Sequence, residues 1–136
     1  MTQEEKELLL KDLCARLPYG VKGRYNNTVF SLRMIDSFDN YHPLYCVTES
    51  GSEYIGIEEF KPYLFPLSSM TEEQKQEYTY IVNYISPDDT DNWKEGEFIY
   101  VDQLTQLMHF YHINHLDYMG LIPMGLANDA TGLNIY

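Results

Sequence analysis

Leu9, Leu10, Leu13 and Leu17 recur at the three- and four-residue spacing of one helical face, and Pro18 stops the pattern. Thr2, followed by Glu5, has the form of a capping box, so a helix is expected over Gln3–Arg16. Glu4, Glu7, Lys11 and Asp12 fall on its other face, which reads as solvated. The pattern then shortens. Val21–Tyr25, Thr28–Met34, Leu44–Thr48 and Tyr54–Ile57 are runs rich in β-branched and aromatic residues, and turn formers separate them. Asn26-Asn27 joins the first two, Asp36–Pro43 makes a longer loop and Ser50-Gly51 joins the last two, as in an antiparallel meander. Gly23 and Gly56 are candidate bulges or bends.

Phe60–Met70 holds two prolines four residues apart, which excludes regular helix and predicts an extended connector. Thr71 with Gln74 repeats the capping signature, and Tyr78, Ile81, Val82 and Ile85 form a helical stripe, so a second helix is expected over Glu72–Ile85. Ser86-Pro87 ends it. A polar loop over Asp88–Gly96, a brief strand over Phe98–Val101 and a third helix over Asp102–His115 follow, with Leu104, Leu107, Met108 and Tyr111 on its buried side. The remainder carries Gly and Pro, and reads as a packed turn with loose final residues. The expected fold is α+β in a single domain over 1–136. An N-terminal helix precedes a small, bent, four-stranded antiparallel sheet approaching a partial barrel, on which two further helices pack.

Composition supports folding. The 136 residues are 44% hydrophobic and include 13 tyrosines, which excludes the low-hydrophobicity class of disordered chains. Cys14 and Cys46 stand too far apart for a disulfide framework or a zinc ribbon, and both are expected to be reduced and buried. The start, MTQEEKELLL, is acidic where a secretory signal is basic, and no apolar run approaches a membrane span; a cytoplasmic setting is expected.

Charge changes the picture more. Residues 1–33 hold six of the nine basic residues against four acids, whereas 34–136 hold seventeen acids against three bases, within a net charge of −12. A field of that size repels phosphate and favours cationic partners.

Three stretches, LLLKDLCARLPYGVK at Leu8–Lys22, KPYLFPLSSMTEEQK at Lys61–Lys75 and LDYMGLIPMGLA at Leu116–Ala127, resemble a family of short uncharacterised proteins of gut anaerobes and of their phages and mobile elements. The chain departs from that pattern at Phe65, where the family usually has Arg, and at Pro123-Met124, where a charged residue usually follows the Gly-Leu-Ile turn. The resemblance implies a phage or mobile-element setting and brings no chemistry with it.

Candidate chemistry is sparse. His109, His112 and His115, spaced by three, would spread over roughly 120° of a helix and could offer neighbouring pairs to a metal ion. Asp88, Asp89, Asp91, Glu95 and Glu97 crowd one loop, but they lack the glycine and terminal glutamate of a calcium loop. Cys14, between Leu13 and Ala15 on a helix, reads as a packed small hydrophobe and not as a nucleophile. Lys22, Arg24 and Arg33, interleaved with Tyr25 and Phe30, could bind nucleic acid directly, but the field of the remaining residues opposes it. The resulting expectation is a non-enzymatic accessory protein, without cofactor, that binds a protein partner. Its candidate contact residues are Tyr63 and Phe65 on the proline connector and Asp117, Tyr118 and Leu121 in the Asp117–Ile122 turn. Two alternatives are an acidic duplex mimic that occupies a DNA-binding protein, and a metal-dependent enzyme using the three histidines.

Overall fold

The computed structural model describes residues 1–85 and 93–136, with side chains described for 1–83 and 103–136. Helix α1 spans Gln3–Arg16, and the Thr2 hydroxyl accepts the Glu5 amide at 3.1 Å, as the capping residue requires. Leu9 and Leu13 are buried as expected, but so are Asp12 and Arg16. These four positions form one i, i+3, i+4, i+7 stripe. The face expected to be solvated at Asp12 is therefore part of the interior, because an ion pair lies along the leucine stripe. Pro18 falls in a short 3-10 turn over Leu17–Tyr19.

Strands β1 (Val21–Tyr25), β2 (Thr28–Ile35), β3 (Leu44–Thr48) and β4 (Gly51–Ile55) form the antiparallel meander. Asn26 and Asn27 both take positive φ, 47° and 63°, the conformation a tight two-residue hairpin demands. β4 starts three residues before the expected Tyr54, since its first positions are exposed and carry no alternation signal. The bulge in the sheet is not at a glycine. It falls between Leu32 and Met34, where Arg33 is the extra residue of β2. Gly23 serves a different purpose: a Cβ there would enter the ring of Phe60, so only hydrogen lets that ring close over β1.

The sheet is larger than four antiparallel strands. Lys61–Pro66 of the proline connector is strand β5, paired antiparallel to β1 at Lys61 and Pro62. It also pairs parallel with two short strands from the C-terminal stretch, β6 (Leu116–Asp117) and β7 (Asn128–Asp129). The result is a seven-stranded, mixed, open sheet, ordered β4-β3-β2-β1-β5-β6 with β7 also on β5. The four-strand expectation failed because two-residue strands leave no periodic signal. The prolines of β5, besides, stand where few ladder bonds are made.

The inner face gathers Val21, Phe30, Leu32, Leu44, Cys46, Ile55 and Leu64 against Leu9 and Leu13 of α1 and against Leu121, Leu126 and Ala127. Burial pushes the Cys46 thiol up to about 12. Cys14 is exposed, contrary to expectation, because it lies off the leucine stripe.

Helix α2 spans Glu72–Ile85 behind a complete capping box: the Thr71 amide donates to Gln74 Oε1 at 2.9 Å, and the Gln74 amide donates to the Thr71 hydroxyl at 3.2 Å. Helix α3 spans Trp93–Ile113 and so absorbs Phe98–Val101, the expected strand; the β-branched and aromatic run lost to its helical surroundings. The helix starts nine residues before Asp102 and ends two before His115. Among its described side chains Gln103, Phe110 and His112 are buried, whereas Leu104 is exposed and Leu107, Met108 and Tyr111 are half-buried. Ile81, Phe110 and Leu116 form a second apolar cluster with Tyr78, Leu107 and Phe65. The acidic stretch at Asp88, Asp89 and Asp91 lies outside the described residues. No helix among the described residues is long and apolar enough to cross a membrane.

Candidate contact surface

The loop from β2 to β3 covers 36–43 and is built by two aspartates. At its base the Asp36 amide donates to the Pro43 carbonyl at 2.7 Å, and Pro43 is buried. Asp36 Oδ1 accepts the Phe38 amide at 3.0 Å, and Asp39 Oδ1 accepts the amides of Tyr41 and His42, each at 2.9 Å. These side chains replace the ladder bonds the loop lacks. The His42 and Tyr41 amides also hold the Asp39 carboxyl below the ordinary carboxylate range. The loop thus has a defined shape without packing its aromatics: Phe38 is 94% exposed and Tyr41 81%.

The apolar surface continues onto the sheet. Inward Leu44 and Cys46 alternate with outward Tyr45 and Val47, and Tyr45 faces Met34 on one side and Tyr54 on the other. The rings of Tyr45 and Tyr54 lie 5.0 Å apart, and Tyr54 remains 58% exposed. Since Ile35, Leu44 and Ile55 are paired at the loop end, the tip and the tyrosine pair share one end of the sheet. Exposed apolar surface concentrated in this way marks interaction sites more often than isolated exposed residues do.

The expected contact residues sit elsewhere. Tyr63, Asp117 and Leu121 are buried, and Phe65 and Tyr118 are half-buried. Each has a local task. Asp117 accepts the Leu121 amide at 2.8 Å and the Ile122 amide at 2.9 Å, closing the turn that carries Leu121 into the core. Phe65 packs in the second cluster, and its amide donates to the His115 carbonyl at 2.8 Å. Tyr118 stacks on Tyr111 at 4.9 Å. Proline flanks do not make a segment exposed when the strand between them pairs on both β1 and β6.

The three histidines do not converge. His109 Nδ1 meets the Tyr19 hydroxyl at 3.1 Å, and His112 Nε2 meets the Tyr118 hydroxyl at 2.9 Å. His115 lies beyond α3 at φ 55° with its ring 3.6 Å from that of Tyr136, so the 120° fan assumed for one helix does not exist. Burial lowers the His115 imidazole to about 4, helped by the charges of Arg16 and Lys22. Among the described residues, no group of three histidine, cysteine or acidic side chains is placed to hold a metal ion. Tyr19, His109 and His112 line an open groove of about 730 Å³ together with Glu77, Ile81 and Phe110.

α1 contributes a buried ion pair. Arg16 Nε donates to Asp12 Oδ2 at 2.7 Å, and Arg16 Nη2 donates to the Leu116 carbonyl at 2.7 Å, which ties α1 to β6. The guanidinium carbon lies 5.0 Å from the centre of the Tyr118 ring. Asp12 Oδ1 and Arg16 Nη1 have no hydrogen-bond partner among the described residues. Burial outweighs the guanidinium and raises the Asp12 carboxyl above its ordinary range.

Phe38 and Tyr41 were not singled out from sequence. The signal was present, as Asp36 and Asp39 each stand two residues before an aromatic inside a recognised loop. Comparison with protein-family models, with curated proteins and with solved structures gave no match.

Proposed function

We propose that this chain is a non-enzymatic accessory binding module, in the phage or mobile-element setting that its resemblance implies, and that a protein partner engages the tip formed by Phe38 and Tyr41. The observation that carries the reading is the near-complete exposure of two aromatics on a loop whose backbone is held by five hydrogen bonds within 36–43 and to Pro43. Aromatic side chains on a fixed loop dock with little ordering cost, and such residues dominate binding energy where they fill a partner's pocket. Met34, Tyr45 and Tyr54 extend the apolar area beside them, and Asp36 and Asp39 supply a polar rim. A partner with an apolar pocket bordered by cations fits this surface and the overall acidity.

The test compares the wild-type chain with the double variant Phe38→Ser, Tyr41→Ser as baits in a lysate. Both side chains are exposed, so the thermal midpoint should be unchanged. The reading expects a discrete protein retained by wild type and lost by the variant, at moderate salt. Equal retention by both baits would exclude the tip as the contact.

A further inference from the structure

Four of the nine basic residues occupy one face of the sheet, and the bulge helps to put them there. Val21 and Gly23 of β1 point inward, so Lys22 and Arg24 point outward. Lys61 of β5 pairs with Arg24, and Ser31 of β2 pairs with Lys22, which places Lys61 on the same side. Past Ser31, the extra residue Arg33 leaves both Arg33 and Met34 exposed, whereas regular pairing would alternate them. Lys22, Ser31, Arg33, Val47, Thr48 and Glu49 line one open groove of about 730 Å³ on this side.

The order across the face is Lys61, Arg24, Lys22, Arg33. Strand geometry separates Arg24 from Lys22 by about 7 Å along β1, sets Lys61 about 5 Å from Arg24 across the ladder, and carries Arg33 one more step in the same direction. The row ends beside Tyr45, which faces the bulge. Arg24, Arg33 and Lys61 make no ion pair among the described residues, and the Lys22 ammonium spends one of its three protons on the Ile135 carbonyl at 3.1 Å. Elsewhere Lys6, Arg16 and Lys75 are each paired to a carboxylate. Among the described residues outside the row only Lys11 also lacks an ion pair, so the open cations are concentrated on this face.

We infer that this sheet face binds the sugar-phosphate backbone of a single-stranded nucleic acid, with phosphates along Lys61, Arg24, Lys22 and Arg33 and a base stacked at Tyr45. A β-surface with a cationic track and an aromatic at its end is the arrangement that sequence-tolerant single-strand binding uses. The net charge of −12 does not forbid it. Physiological salt screens charges beyond about 8 Å, so the contacting row outweighs distant acids. Glu49, at the rim of the groove, is the one acid among the residues that line it. Phe30 and Tyr25, which looked in sequence like stacking residues, do not take part; Phe30 is buried on the opposite face and Tyr25 packs on it.

Fluorescence anisotropy with a labelled twelve-residue oligothymidylate tests this. Four phosphate contacts on a single strand give a slope of about −2.8 in log affinity against log salt, or roughly fifty-fold weaker binding at 200 mM than at 50 mM salt. The variant Arg24→Ala, Arg33→Ala, Lys61→Ala should flatten the slope to about −0.7. The Arg24→Lys, Arg33→Lys variant should keep the steep slope, and Phe38→Ser, Tyr41→Ser should bind as wild type does. No binding at 50 mM salt with several hundred micromolar protein overturns the inference, as does an unchanged slope in the alanine variant. If decaglutamate binds equally well with the same sensitivity to the alanine variant, the face is a site for acidic polypeptide, and the nucleic-acid assignment is wrong.

Discussion

Replacing Arg16 by Met tests how the interior tolerates the Asp12–Arg16 pair. Both side chains are almost fully buried, and the guanidinium is also the donor that holds the Leu116 carbonyl across a hundred residues of sequence. Methionine matches the length of the stem and leaves Asp12 as an unpaired carboxylate in an apolar shell. Breaking a buried pair from one side costs about 3–5 kcal/mol, because the remaining charge has lost its partner. The carboxyl is already raised above its ordinary range by burial, so it has an escape by protonation, and the cost should shrink as pH falls from 7 towards 5. Adding Asp12→Leu removes the orphaned charge and leaves the Leu116 carbonyl without its donor, a smaller penalty of about 1–3 kcal/mol. Urea denaturation of wild type, the single variant and the double variant at pH 7 reads all three. The double variant should be more stable than Arg16→Met alone. A single variant within 1 kcal/mol of wild type, or a double variant less stable than the single, would refute the reasoning.

Other outcomes follow from particular contacts. Tyr136→Phe should lose about 1–3 kcal/mol in urea denaturation, since the hydroxyl accepts the Lys22 amide at 2.9 Å and donates to the Tyr63 carbonyl at 2.9 Å, bridging β1 and β5 where the ladder opens. Gly23→Ala should cost about 1–3 kcal/mol by the same assay, as the new methyl must displace the Phe60 ring. For His115 burial lowers the folded value to about 4, below the ordinary imidazole value of 6.5, so the neutral ring is favoured by folding. Its contribution is complete above pH 6.5 and is lost as pH falls towards 4. The whole shift corresponds to about 3 kcal/mol at most, and its partial solvent access reduces what is seen at pH 5 to about 1–2 kcal/mol. His115→Asn, which tolerates the positive φ, should lose that much less stability than wild type between pH 7 and pH 5; equal losses would contradict the assignment.

Elements with a dense local signal were legible in the sequence. The leucine stripe with Thr2 and Pro18 marked α1, and Thr71 with Gln74 and the Tyr78–Ile85 stripe marked α2 at its observed bounds. β1 and β3 were equally plain. What stayed hidden was decided by partners far along the chain. β5 needs β1 and β6 to pair with, and β6 and β7 are two residues each. The FIYV run fits a strand as well as a helix until its neighbours choose. The buried Asp12 looked solvated because nothing in a charge pattern shows that Arg16 pairs with it or that Leu116 and Tyr118 return to cover the pair. The expected contact residues are buried or half-buried for a related reason: aromatics beside proline look exposed, whereas exposure depends on the sheet edge they meet. The last residues, expected to be loose, are pinned by the Tyr136 hydroxyl between two strands, by its ring stacked on His115 and by the Lys22 ammonium on the Ile135 carbonyl.

The central claim is that the Phe38–Tyr41 tip meets a protein. A photoreactive phenylalanine analogue at position 38, with Ile113, also exposed, as the control position, tests it most directly in cells expressing the chain. The account predicts a discrete covalent adduct from position 38 and none from 113. Adducts from 113 alone, or the same spread of adducts from both, would contradict it.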